Sequence, residues 1–67
     1  MEYSLGLVAG QILIYLDEKR SAPMARLASD IRCPLHHLKT AVGILTRGGL
    51  VQVIEQNHEK IISKTTK

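Results

Sequence analysis

The sequence predicts an α+β domain in which three helices are followed by a two- or three-stranded antiparallel sheet. Two observations support this prediction. Apolar residues recur at helical spacing over residues 5–47, and β-branched residues then become frequent over residues 50–65. Between these regions stands Gly48-Gly49, which is a typical helix stop signal. We predict a single domain over residues 1–67.

The first helix is predicted over about residues 5–18. Its apolar face consists of side chains that recur at helical spacing, namely Leu5, Val8, Ile12, Tyr15 and Leu16. Pro23 ends this region, because proline disfavours a helical conformation at the residue before it. Residues 21–23 are predicted to be a short extended segment that pairs with the later strands.

A second helix is predicted over residues 24–31 and a third over residues 34–47. Pro34 suits the first turn of a helix, where the missing N–H group would have no partner. The residues predicted to face the core are Leu27, Ala28 and Ile31 in the second helix, and Leu38, Val42 and Leu45 in the third.

Two strands are predicted over residues 50–54 and 60–65, with a polar connection over residues 55–59. Asn57 is the residue of this connection that we expect to adopt a positive φ. The pair would form a hairpin at the end of the chain.

Composition narrows the functional classes. The sequence has nine Lys and Arg against six Asp and Glu, a net charge of +3 that is compatible with nucleic acid but does not require it. A single cysteine, Cys33, excludes an intramolecular disulfide, and we predict a cytoplasmic protein. The apolar run at residues 5–16 is shorter than the roughly 20 residues that span a bilayer, so no membrane association is predicted.

No residue pattern indicates catalysis or a cofactor. The acidic residues form no convergent pair, and the chain lacks a glycine-rich phosphate loop. His36, His37 and Cys33 are residue types that bind zinc, but adjacent helical residues point about 100° apart and two ligands do not make a site. We therefore predict no enzyme, no metal and no cofactor, with Cys33 as a small buried residue.

The order of helix, tight turn, helix, glycines and strand resembles the winged helix-turn-helix domain of bacterial and archaeal transcriptional regulators. The residues that carry the resemblance are Leu27-Ala28, Leu38, Val42, Leu45 and the segment Arg47-Gly48-Gly49-Leu50-Val51. Three features depart from the family pattern. Arg32 stands where the family often has glycine, and Gly43 lies within the third helix. The predicted hairpin over residues 50–65 corresponds to the wing of this family, and its tip contains two glutamates, Glu55 and Glu59.

The resemblance implies that the third helix is the recognition helix, which contacts duplex DNA in the major groove. The side chains left on its outer face by the core residues are His36, His37, Lys39, Thr40 and Gly43, with Arg47 at the far end. The cations expected to contact phosphates are Arg26, Arg32, Arg47 and Lys60.

A second apolar stripe lies on the first helix, opposite its core face. It consists of Tyr3, Leu7, Gly10 and Ile14, with spacings of four, three and four residues. We predict that this stripe forms a homodimer, which would present two recognition helices to a two-fold DNA site.

Two other functions remain open at this point. The mild charge and the partly acidic wing also suit a protein-interaction module, such as an adaptor or an accessory subunit of a larger machine. The third possibility is an architectural protein that bends duplex DNA without reading its sequence.

Overall fold

The computed structural model describes residues 5–65. The elements in chain order are α1 (Leu5–Lys19), β1 (Ser21–Pro23), α2 (Met24–Ile31), α3 (Leu35–Arg47), β2 (Val51–Gln56) and β3 (Glu59–Lys64). Three helices and a three-stranded antiparallel sheet form the winged helix-turn-helix fold, which confirms the predicted fold class.

β3 is the central strand of the sheet, whose order is β1-β3-β2. Ile62 of β3 is paired with Ala22 on one side and with Val53 on the other. The short extended segment predicted at residues 21–23 is therefore confirmed as a strand that pairs with the hairpin.

The hairpin turn is tighter than the sequence predicted. β2 continues to Gln56 and β3 begins at Glu59, so only two residues connect them. Asn57 and His58 both have positive φ, at 52° and 65°. This combination is typical of a type I′ turn, whose twist matches that of the strands it joins. The positive φ expected at Asn57 is confirmed, but the predicted five-residue connection was too long.

The core is aliphatic and lies between the helices and the inner face of the sheet. Its buried members are Val8, Ile12, Leu16, Ala22, Leu27, Cys33, Leu38, Ala41, Val42, Leu45, Val51 and Ile62. Burying each large aliphatic side chain contributes about 1.5–3 kcal/mol. α3 contributes four of these residues, so its opposite face is held outward.

The turn between α2 and α3 is closed by Arg32, which adopts the left-handed conformation with φ 61° and ψ 53°. Its amide donates to the carbonyl of Ala28 at 2.9 Å, and the Cys33 amide donates to the same oxygen at 3.2 Å. Such a left-handed residue often ends a helix, and glycine is the residue that adopts it most easily. The departure of Arg32 from the family pattern therefore falls where glycine would relieve strain.

Cys33 is buried in this turn, as predicted, and its thiol donates to the carbonyl of Pro34 at 3.3 Å. Burial raises the pKa of the Cys33 thiol.

Lys64 connects β3 to α1, because its ammonium group donates to the carboxylate of Asp17. Within residues 5–65, no helix has the length and apolar character needed to cross a membrane.

Candidate nucleic-acid interface

The outer face of α3 presents an exposed stripe that is mostly polar, beside Ile44, an aliphatic residue that is 49% exposed. Its exposed members are His36, Lys39, Thr40, Gly43 and Arg47, all of which the sequence had assigned to DNA. Leu38 and Val42, on the opposite side of the helix, are buried and fix this orientation. The structure thus places five of the six predicted α3 residues on one exposed surface.

His37 lies at the edge of this surface and is only half exposed. It is four residues before Ala41, which is fully buried, and residues four apart share one side of a helix. The His37 ring packs against the His36 ring with 4.4 Å between their centroids. The sequence pattern had missed Ala41 as a core residue, and it had therefore placed His37 too far outward.

Two members of the stripe, Thr40 and Gly43, differ in what they present to an approaching molecule. The Thr40 hydroxyl donates to the carbonyl of His36 at 3.0 Å, a bond within the helix itself. A Cβ atom built on Gly43 would meet no atom within 4 Å, so internal packing does not require glycine there. The open space at Gly43 lets another molecule approach the helix backbone closely.

The charge on α3 has one sign. Its sequence from Leu35 to Arg47 contains a lysine and an arginine but neither aspartate nor glutamate. The acidic residues of the helices lie instead on α1 and α2, at Asp17, Glu18 and Asp30. An anion approaching α3 therefore meets no carboxylate on the helix itself.

Lys39 and Lys60 line the same surface hollow, although they are far apart in the sequence. This α3–wing hollow has a volume of about 240 Å³. It is formed by the start of α2, the first turns of α3 and the start of β3, through Pro23, Met24, Ala25, Leu35, Lys39, Glu59 and Lys60. Four of these residues are apolar, and Glu59 is the single carboxylate among them.

The hollow also receives the N-terminus of α2. Pro23 is the N-cap residue and provides no side-chain hydrogen bond to the first turn, which contains no acidic residue. The first amide groups of a helix have no partner within the helix and carry partial positive charge. The hollow therefore combines two lysines with a helix end that attracts anions.

Arg26 and Arg32 do not line the hollow. The Arg26 Nε atom is 3.6 Å from the Asp30 carboxylate, and the Tyr15 hydroxyl donates to that carboxylate at 2.7 Å. This hydrogen bond raises the pKa of Tyr15. Arg32 is exposed in the turn between α2 and α3. The structure therefore joins Lys60 to the α3 surface but gives Arg26 a carboxylate partner, which its spacing of four residues from Asp30 could have indicated.

Sequence reasoning missed the apolar residues of the hollow, above all Leu35. Leu35 is 47% exposed at the first position of α3. Its spacing of four residues from Lys39 was the available signal, because it places both residues on the same side of the helix.

The predicted dimer stripe presents two large aliphatic side chains to solvent. Leu7 is 60% exposed and Ile14 is 66% exposed. Gly10 lies between them along α1, and a Cβ atom there would meet nothing within 4 Å. Tyr3, the fourth predicted member, lies outside the described residues.

Among residues 5–65, no three His, Cys, Asp or Glu side chains are placed to hold a metal ion together. His36, His37 and Cys33, which are residue types that bind zinc, do not form such a group.

Comparison with known proteins identifies similar structures. Neither a protein-family model nor a curated relative matches the sequence. The structure of a transcriptional regulator homologue from Pyrococcus horikoshii OT3 matches 90% of this chain with a TM-score of 0.76 and 22% identity. A protein of Bacteroides thetaiotaomicron, solved by solution NMR, matches 90% of the chain with a TM-score of 0.80 and 25% identity.

These similarities show the fold. The chain spans 62% of the regulator homologue and 73% of the Bacteroides protein.

Proposed function

We propose that this chain is a small winged-helix transcriptional regulator that binds duplex DNA as a homodimer and has no catalytic activity. The observation that carries the proposal is the carboxylate-free outer face of α3 beside the hollow that brings Lys39 and Lys60 together. The structural similarity to a transcriptional regulator homologue supports it. The proposal treats residues 1–67 as one domain and places the protein in the cytoplasm.

In this proposal, α3 lies in the major groove, which is wide enough to admit a helix. His36 and Thr40 face the base edges, and the absence of a side chain at Gly43 allows the groove floor to come close. Arg47, at the end of the same stripe, contacts a phosphate. His37, at the edge of the surface, also faces the groove.

The α3–wing hollow receives the phosphate backbone of one strand. Lys39 and Lys60 neutralise phosphates from two sides, and the amides at the start of α2 donate to a phosphate oxygen. Glu55 is the cross-strand partner of Lys60 and reduces the positive potential of the wing. The principal charge therefore comes from α3, and the wing contributes mainly through Lys60.

Arg26 and Arg32 are outer phosphate contacts in this proposal. The ion pair with Asp30 partly neutralises Arg26, so its contribution should be smaller than that of Lys39. Arg32 lies in the turn just before α3 and remains exposed.

The partner at α1 is a second copy of the chain. Leu7 and Ile14 together expose most of their surface, and burying such side chains is worth about 1.5–3 kcal/mol each. Gly10 allows the two α1 helices to approach closely, and the sequence spacing adds Tyr3 to the proposed interface. Two copies related by a two-fold axis would place two recognition helices on successive half-sites.

Titration of a random-sequence duplex at several salt concentrations tests the proposal. The binding constant should fall steeply as salt concentration rises. A plot of its logarithm against the logarithm of salt concentration should have a slope of about 0.9 in magnitude for each phosphate neutralised. Replacing both Lys39 and Lys60 by glutamine should lower that slope by about two. Lys19→Gln, which removes an exposed lysine at the end of α1, is the matched control and should leave the slope nearly unchanged.

The alternatives give different results in the same titration. An adaptor that binds only proteins would show no DNA binding even at the lowest salt, which would overturn the proposal. An architectural protein would bind every duplex equally and bend it. Competition between selected and random duplexes separates architectural binding from sequence-dependent binding. The gel mobility of the protein–DNA complexes shows whether the duplex is bent.

A further inference from the structure

Leu35 is an exposed apolar side chain of α3 that cannot itself bind a phosphate. It is the first residue of α3 and is 47% exposed, although it is a large aliphatic side chain. It lines the α3–wing hollow together with Met24 and Ala25. The hollow therefore presents an apolar surface at the end of the recognition helix.

The surroundings of Leu35 indicate what kind of molecule covers it. Lys39 lies one turn further along α3, and Lys60 lines the hollow from β3. Glu59 also lines the hollow, so the two lysines leave one net positive charge around the apolar contact. This combination suits an anionic partner that also presents a small apolar group. Duplex DNA meets this requirement, because the thymine methyl group is an apolar group on the major-groove edge of an otherwise polar and charged surface.

We propose that Leu35 contacts the methyl group of a thymine in each half-site of the DNA target. The proposal rests on the proposed function and extends it from DNA binding to one base of the target. The N-terminal residues of a recognition helix are those that reach base edges, and Leu35 is the first residue of α3. In this proposal, Lys39 and Lys60 bind phosphates at the rim of the hollow, and Leu35 reaches the thymine methyl group of the same strand.

Replacing thymine by deoxyuridine tests the contact, because it removes the methyl group and leaves base pairing intact. A duplex is first selected from a random pool with the unmodified protein, and its thymines are then replaced one at a time. Losing one buried methyl group should weaken binding about fourfold at the contacted position.

Two variants assign that effect to a residue. In Leu35→Ala the thymine and deoxyuridine duplexes should bind equally at that position. Ile54→Ala is the matched control, because Ile54 is also 47% exposed but pairs with Ile61 and alternates with Val53, which places it on the outer face of the sheet. This control should keep the fourfold discrimination. Circular dichroism of both variants establishes that they fold.

Each outcome decides the proposal. It is overturned if no thymine replacement weakens binding of the unmodified protein, or if Leu35→Ala retains the discrimination, and in both cases DNA binding itself stands. It is also overturned if the unmodified protein selects no sequence from the pool. A failure to bind any duplex would instead overturn the proposed function, and this inference with it.

Discussion

Replacing Arg32 by glycine is expected to stabilise the protein. Arg32 holds φ at 61° at the end of α2, where its amide and that of Cys33 both bond to Ala28. The left-handed conformation costs an L-residue about 1–2 kcal/mol, and glycine adopts it freely. The greater freedom of glycine in the unfolded chain offsets about 0.5–1 kcal/mol of this gain.

The net effect on the free energy of unfolding is an increase of about 0.75 kcal/mol, within a range of about 0–1.5 kcal/mol. For a domain of this size, the central value corresponds to a rise in melting temperature of about 3–6 °C. Thermal unfolding followed by circular dichroism measures it. All samples need the same protein concentration, because dimerisation would make the melting temperature depend on concentration.

Arg32→Ala separates the backbone effect from the loss of the side chain. Alanine also lacks the guanidinium group but retains the cost of the left-handed conformation, so this variant should not be more stable than the unmodified protein. If Arg32→Gly were no more stable than Arg32→Ala, the left-handed conformation at residue 32 would not be a source of instability. Both variants remove a proposed phosphate contact and should weaken DNA binding to a similar extent.

Three further predictions concern the surfaces of the domain. The double change Leu7→Lys with Ile14→Glu should give a folded monomer by sedimentation and weaken binding to a two-fold site far more than to a half-site; a surviving dimer would place the interface elsewhere. Lys39→Ala should weaken binding to all duplexes and lower the salt slope by about one, and an unchanged slope would exclude Lys39 from the interface. The hydrogen bond from Tyr15 to Asp30 raises the pKa of Tyr15. This bond therefore stabilises the fold at pH values below the ordinary tyrosine pKa, and its contribution is lost as the pH rises through the raised pKa of Tyr15. In Asp30→Asn the Tyr15 ring resonances should titrate at lower pH, and an unchanged titration would refute this assignment.

The helices could be predicted from the sequence because each one carries its own periodic signal. α2 was predicted at its observed bounds, and α3 ends at Arg47, just before Gly48-Gly49, as expected. These are local features, set by the apolar spacing and by residues that end a helix. The short strand β1 was also predicted, because Pro23 excludes helix at the residue before it.

The α3–wing hollow could not be predicted in the same way. It depends on the register between β2 and β3, which is fixed by the two-residue turn at Asn57 and His58. A shift of one residue in this register would move Lys60 to the other face of the sheet, away from Lys39. The sequence allowed a longer turn, so it indicated both lysines as DNA contacts without placing them together.

The half-buried position of His37 shows the same limit within a helix. A small residue such as Ala41 carries a weak hydrophobic signal, yet it is fully buried against the core. Its burial turns α3 so that His36 faces outward and His37 lies at the edge. The contacts of neighbouring elements, rather than the spacing on α3, decide this rotation.

Mapping duplex DNA onto the protein by NMR tests directly whether α3 is the DNA-binding surface. Amide chemical shifts of the labelled protein would be followed while a selected duplex is added. We expect the largest changes on α3 from Leu35 to Arg47, at the start of α2 and around Lys60. Changes confined to the outer face of α1, with α3 unaffected, would contradict this expectation.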